Sequence, residues 1–153
     1  MIDRTQDDNS TISISEASRE VVARLKEHNL LAIGKSDNDT NTKDIYLLAV
    51  ALGLASPVET SNKGAESYTR TIYFKSEDRA LLTAALWDTL TDTSDVLELC
   101  DSKKAFAYSK GFTNVGFQQI DKFAAESMYD PELMVQKLLD YVESIFDDTI
   151  AQA

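Results

Sequence analysis

The stretch KDIYLLAVALGL, residues 43–54, constrains the rest of the chain more than any other. Every residue after its first two is apolar or Gly. As an α-helix it rises only about 16–18 Å, roughly half the hydrocarbon thickness of a bilayer, so it cannot be a membrane span. Its wheel carries two apolar sides. Ile45, Leu48 and Leu52 form one, and Tyr46, Ala49, Val50 and Gly53 form the other, with small residues that let another helix approach closely. A helix apolar on all sides has to be surrounded, so this one is expected at the centre of a core. The alternative is a pocket wall, but nothing polar converges on it in the sequence. Thr42 is placed to cap it, Asp44 suits its first turn, and Gly53 with Pro57 marks its exit.

A core helix needs covering elements, and 153 residues suffice for one domain that supplies them. With 43% hydrophobic and 27% charged residues the chain reads as globular, and 5 Gly and 2 Pro leave little room for long loops. The fold class expected is mostly α (α+β): a compact helical domain around the buried central helix, with a small two-stranded β element. Residues 1–10 read as a flexible tail and 11–148 as a single globular domain.

Along the chain, TISIS (11–15) alternates Ile12 and Ile14 with hydroxyl residues, as a half-buried strand does. It runs into a helix whose Ala17, Val21, Val22, Leu25 and His28 share a face, capped by Ser13 (with Glu16 in a capping box) or by Ser15. Strand then helix is the order of ribbon-helix-helix DNA binders, but those read DNA from a basic strand and TISIS has no Lys or Arg. GKSDNDTNT (34–42) has loop composition. SYTRTIYF (67–74) is the best strand, pairing either with 11–15 or with its own upstream loop. Ser76, with Glu77 and Asp78, starts a helix that buries Leu82, Ala85, Leu86, Trp87 and Leu90. SDVLELC reads as a short helix from Ser94. Residues 102–126 read as helical in two halves, with Phe106, Phe112, Phe117, Ile120 and Phe123 inward and Gly111 and Gly116 allowing contact or a break. Asp130 caps and Pro131 opens a last helix striped by Met134, Val135, Leu138, Tyr141, Val142 and Ile145.

The formal charge is −11, a surface that repels phosphate backbones and favours solubility or basic partners. An array of carboxylates that mimics DNA is the sharper reading of that charge. His28 has no partners at triad or metal spacing and reads as a half-buried structural histidine. Cys100 reads as a small buried hydrophobe; being single, it forms no internal disulfide. No phosphate loop, HExxH or paired-Cys pattern occurs, so no catalytic, cofactor or metal residues are expected. The two Asn-x-Ser/Thr matches, at Asn9 and Asn38, read as chance in a chain without an export signal, and a cytoplasmic location is expected. One local exception to the acidity stands out. Lys103, Lys104, Lys110 and Lys122 against Asp121 give 102–122 a local charge of +3. Lys103 and Lys104 follow Ser102 as a cap, where free N–H groups also favour anions, and Tyr108 and Phe112 are near enough to stack on bases. Lys103, Lys104 and Lys110 are therefore the candidate contact to a phosphate or acidic partner; the plainer reading is a solvated helix face.

The order TKDIYLLAVALGL, TRTIYF, DRALLTAALWDTLTDTSDVLEL and AFAYSKGFTNVGFQQI resembles the small proteins associated with Dnd gene clusters, which carry out DNA phosphorothioation and linked restriction of foreign DNA. In that family a KD precedes an aromatic–aliphatic–alanine run ending in ALG, then come a strand, an Ala/Leu helix and a Tyr-containing helix with a Gly. The matching positions are Lys43, Asp44, Tyr46, Ala49, Ala51, Leu52, Gly53, Phe74, Leu97, Leu99, Tyr108 and Gly111. The resemblance spans about 42–125 and leaves the N-terminal strand and helix without a counterpart. It implies a non-enzymatic accessory role in antiviral defence, with a protein of a DNA modification or restriction complex as partner, weak or indirect DNA contact, and no membrane. It supplies no active site. The competing function is a free-standing acidic DNA mimic that inhibits a nuclease or other DNA-binding protein.

Overall fold

Strand β1 (Thr11–Ile14) owes its place to its two isoleucines: Ile12 and Ile14 are each 1% exposed, while Thr11 between solvent and sheet edge stays outside. In this computed structural model, which describes residues 11–31, 38–54, 64–87, 89, 99 and 102–151, β1 pairs antiparallel with β2 (Glu66–Arg70). The register is Thr11 opposite Arg70 and Ile14 opposite Glu66, with a bulge between Ile12 and Ser13. Of the two pairings open to the second strand, the one with 11–15 is formed. That strand stops at Arg70, however, and Thr71–Tyr73 form a 3₁₀ turn where a continuous strand was expected. Arg79 explains the departure. Its guanidinium donates to the carbonyls of Thr71 (2.9 Å) and Phe74 (3.1 Å), satisfying backbone acceptors that a sheet partner would otherwise take.

Among the described residues five α-helices follow one another: α1 (Glu16–Glu27), α2 (Asn38–Leu54), α3 (Ser76–Trp87), α4 (Ser102–Glu126) and α5 (Pro131–Ala151). The mostly α, α+β expectation holds. Ser15 is the cap of α1, its hydroxyl accepting from the Ser18 N–H at 3.2 Å. The buried stripe of α1 is Ser18, Val21, Val22 and Leu25; Ala17 and His28 are exposed. Helix α2 begins a turn before Thr42, so residues 38–42 are helical rather than loop, and Thr42 lies inside the helix. The last helix, opened by Pro131 as expected, runs on to Ala151. Leu90, the SDVLELC segment apart from Leu99 (Leu97 and Cys100 included) and the 1–10 tail lie outside the described residues.

Helix α2 is the central helix. Tyr46 and Ala49 are wholly buried, with Ile45, Val50 and Leu52 nearly so; Leu47 and Leu48 are partly buried, and Ala51 and Asp44 are exposed. Its largest helix–helix contact is with α4. Small residues allow it: a Cβ on Gly116 would sit 1.6 Å from the Ala49 carbonyl oxygen, and one on Gly53 would sit 1.9 Å from that of Phe112. An i, i+4 pair on one helix thus meets an i, i+4 pair on the other, backbone against backbone. Because Gly116 is consumed by this contact, α4 is one unbroken helix rather than two halves, and Gly111, with nothing within 4 Å, imposes no break.

Helices α1 and α4 are joined by polar groups. Asn114, 4% exposed, accepts at Oδ1 from the Ser18 hydroxyl (2.8 Å) and the Ser15 N–H (3.3 Å). Further along, Arg24 clamps Asp121 with two bonds of 2.9 and 3.0 Å, and this hydrogen bond holds the Arg24 pKa above its ordinary value. Both helices end in the same way. The N–H of Leu30 reaches back to the Leu25 carbonyl and that of Tyr129 to the Ala124 carbonyl, with Asn29 (φ 52) and Met128 (φ 53) left-handed at the exits.

Candidate functional site

Of the twelve positions of the resemblance, eleven lie among the described residues, and most of these are structural. Lys43 is 7% exposed, and its ammonium pairs with Asp78. Asp78 also accepts from the Lys75 N–H at 2.8 Å, capping the start of α3. Burial works against ionisation of Asp78, but hydrogen bonds from Lys43 and the Lys75 backbone outweigh it and keep its pKa below the ordinary carboxylate value. The Tyr46 hydroxyl donates to Ser109 Oγ (2.6 Å), which itself donates to the Phe106 carbonyl (2.7 Å); burial raises the Tyr46 pKa. Phe74 lies edge-on between Tyr46 and Phe106, with centroids 5.9 and 4.9 Å apart. Ala49, Leu52 and Gly53 pack inside, while Ala51, Tyr108 and Gly111 are exposed.

The lysine candidates all fall on α4. Lys103 is in its first turn, with its side chain outside the described residues; Lys104 is exposed and Lys110 half-buried. Lys103 and Lys110 are seven residues apart and share a side of the helix, whereas Lys104 is about 100° away. Ser102 is the first helical residue, not a cap ahead of it. The aromatic neighbours are already engaged. Tyr108 donates its hydroxyl to Thr89 Oγ1 at 3.0 Å, and its ring meets Phe112 edge-on at 5.5 Å. A base would have to displace those contacts before stacking there. Lys122 lies 4.0 Å from Glu126, and Asp121 is taken by Arg24, so the basic stretch divides into separate parts.

His28 is exposed rather than half-buried and stacks on Tyr129, with ring centroids 4.4 Å apart and 21° between planes. Among the described residues no three His, Cys, Asp or Glu side chains converge as a metal site would require. A recess of about 150 Å³ lies beside α3 and α4, lined by Arg79, Leu82, Thr83, Leu99, Ala105 and Phe106. Among the described lining residues Arg79 alone is charged, and that side chain already serves Thr71 and Phe74.

The surface that sequence periodicity mistook for core is on α5. Asp130 caps the helix, accepting from the Leu133 N–H at 3.0 Å, and Met134 is fully buried. Leu138 and Tyr141 pack partly, Tyr141 against Phe123 at 5.3 Å. The remainder of the expected stripe faces solvent: Val135 is 44% exposed, Val142 58% and Ile145 43%, joined by Leu139 at 61% and Phe146 at 64%. Over half of the exposed large hydrophobics among the described residues lie on this one helix. Trp87, also expected inside, is exposed at the end of α3. No helix of the described residues is long and apolar enough to cross a membrane. Comparison of the chain with protein-family models, with characterised proteins and with solved structures finds no match to any of them.

Proposed function

We propose that this protein is a non-enzymatic accessory protein of bacterial DNA phosphorothioation-linked restriction, an antiviral defence, and that it works in the cytoplasm by docking on a protein of that machinery. The observation that carries docking is the exposed apolar face of α5, where Val135, Leu139, Val142 and Phe146 stand next to one another at 44–64% exposure, the kind of contiguous apolar surface that marks an interaction site. The phosphorothioation context rests on the resemblance over 42–125. In this reading Lys104 and Lys110, with Lys103, give at most a weak contact to DNA, because the chain as a whole carries −11.

The test is co-expression of a tagged chain with the Dnd modification and restriction proteins. Co-purification with one of them, together with loss of phage restriction when the chain is omitted, is the expected result; neither effect would remove the context. His28→Gln should leave restriction intact, since His28 is exposed, stacks on the Tyr129 ring and closes the end of α1. A second reading, the acidic DNA mimic, is favoured by the net charge alone. It predicts competition with duplex DNA for a basic protein, abolished when surface carboxylates become amides.

A further inference from the structure

The apolar residues of α5 fall into two adjacent seams. Met134, Leu138 and Tyr141 turn toward the chain's own body, antiparallel to α4, with Phe123 beside Tyr141 and Glu126 within 4.0 Å of Lys137. Val135, Leu139, Val142 and Phe146 lie one position further round and face solvent. Their spacing of four, three and four is the seam spacing of helices that pack knobs into holes. From Val142 to the end of α5 every described residue is exposed, Ile145 and Ile150 included. A terminal helical stretch this exposed draws little support from the rest of the chain, and isolated helices are marginal in water below about 12–15 residues even with good sequences.

The polar border of this second seam decides what covers it. Gln136, Asp140, Glu143 and Asp147 run along it, all exposed and without a Lys or Arg among them. Helix α5 as a whole has Glu132, Asp140, Glu143, Asp147 and Asp148 against a single Lys137, which is turned toward Glu126 on the other side. A second copy would bring acidic border against acidic border, which is unfavourable. An anionic lipid surface would be repelled in the same way, since helices that lie on membranes carry Lys and Arg on the polar face.

We propose that the Val135–Leu139–Val142–Phe146 seam of α5 is the docking site for an amphipathic helix of a partner protein, apolar at seam spacing and flanked by Lys or Arg. This deepens the docking reading and rests on it, but not on the identity of the partner. The apolar seam sets register, and the carboxylate border selects against acidic helices by the repulsion it offers them.

The probe is a synthetic 21-residue helical peptide with Leu at seam positions and Lys at the flanking ones, titrated into the intact chain by calorimetry. Controls are the same peptide with Glu flanks and a Lys-flanked peptide with Ser in place of the seam Leu. The Lys–Leu peptide should bind at least ~10-fold tighter than either control and weaken several-fold as salt rises from low to physiological strength. Leu139→Asn with Val142→Asn should cost at least ~10-fold while leaving the circular dichroism spectrum unchanged, because both side chains are exposed. Asp140→Asn, Glu143→Gln and Asp147→Asn together should remove the advantage of Lys over Glu flanks. Equal binding of all three peptides, or binding untouched by the Leu139/Val142 variant, overturns the proposal. So does a dimer in light scattering that this variant dissociates, which would make a second copy the occupant, or binding of the same face to phosphatidylglycerol vesicles. Peptide binding without co-purification of Dnd proteins would leave this site standing and remove the context. Co-purification unaffected by the variant would do the reverse.

Discussion

Two apolar helices of similar length meet opposite fates here. Helix α2 is enclosed, with its small residues pressed against the α4 backbone; α5 packs only along Met134, Leu138 and Tyr141 and shows a second apolar seam to solvent. Hydrophobicity alone does not distinguish them. What does is the company the apolar residues keep: Ala49 and Gly53 make a surface that another backbone can touch, while α5 offers large side chains and a carboxylate border. The first arrangement is a solved packing problem, the second an open one that a partner can close.

The sharpest way to break this contrast is to close the gap between α2 and α4. Gly116→Ala places a methyl where the Ala49 carbonyl already sits, and neither backbone can yield without moving its helix. The expected loss is about 3 kcal/mol or more, read by urea unfolding. An unchanged midpoint would show that the two helices are not in backbone contact.

Asp78→Ala should follow at about 2–4 kcal/mol, because it strands the Lys43 ammonium and uncaps the Lys75 N–H. This variant also tests the sign of a pH effect. A carboxylate whose folded pKa is depressed contributes stability that is full above its unfolded value, about 3.9, and lost as pH falls through the folded value. The difference between parent and Asp78→Ala should therefore shrink below about pH 4. A difference constant with pH would mean the ion pair contributes nothing.

Smaller effects separate used glycines from unused ones. Gly111→Ala meets no atom within 4 Å and should raise stability by about 0.5–1 kcal/mol through helix propensity. Met128→Gly should gain a similar amount, about 0.5–1 kcal/mol, since Met128 is exposed and held at a left-handed φ of 53°. Smallest of all, Leu139→Asn with Val142→Asn should change the unfolding free energy by no more than about 0.5 kcal/mol. A large loss there would show that the outer seam of α5 is covered by the chain itself.

The fold was legible where one signal dominated. The density of apolar residues marked α2 as central, alternation marked β1, and Asp130–Pro131 marked the start of α5. The turn at Thr71–Tyr73 was hidden because the residues that suit a strand were diverted by Arg79, eight positions on. Helix α2 reached back into a polar segment with loop composition, so composition misplaced its start. The candidate site was the least legible part. Periodicity identifies which residues of α5 share a face but not whether the rest of the chain is large enough to cover it. For that reason the stripe expected to be core includes Val135, Val142 and Ile145, which the fold leaves exposed. The lysines were visible as a local charge, whereas their division between two sides of α4 needed the helix to be continuous through Gly111 and Gly116.

Amide hydrogen exchange, followed with and without the Lys-flanked peptide, tests the central claim that α2 and α4 form the scaffold while α5 does the binding. In the free chain the α2 and α4 amides should exchange only through global unfolding, and those from about Val142 onward should exchange orders of magnitude faster. With peptide present, protection should rise along residues 135–148 and remain unchanged at Lys104–Lys110. Protection that appears around Lys104 and Lys110 instead, with α5 unaltered, would contradict the account.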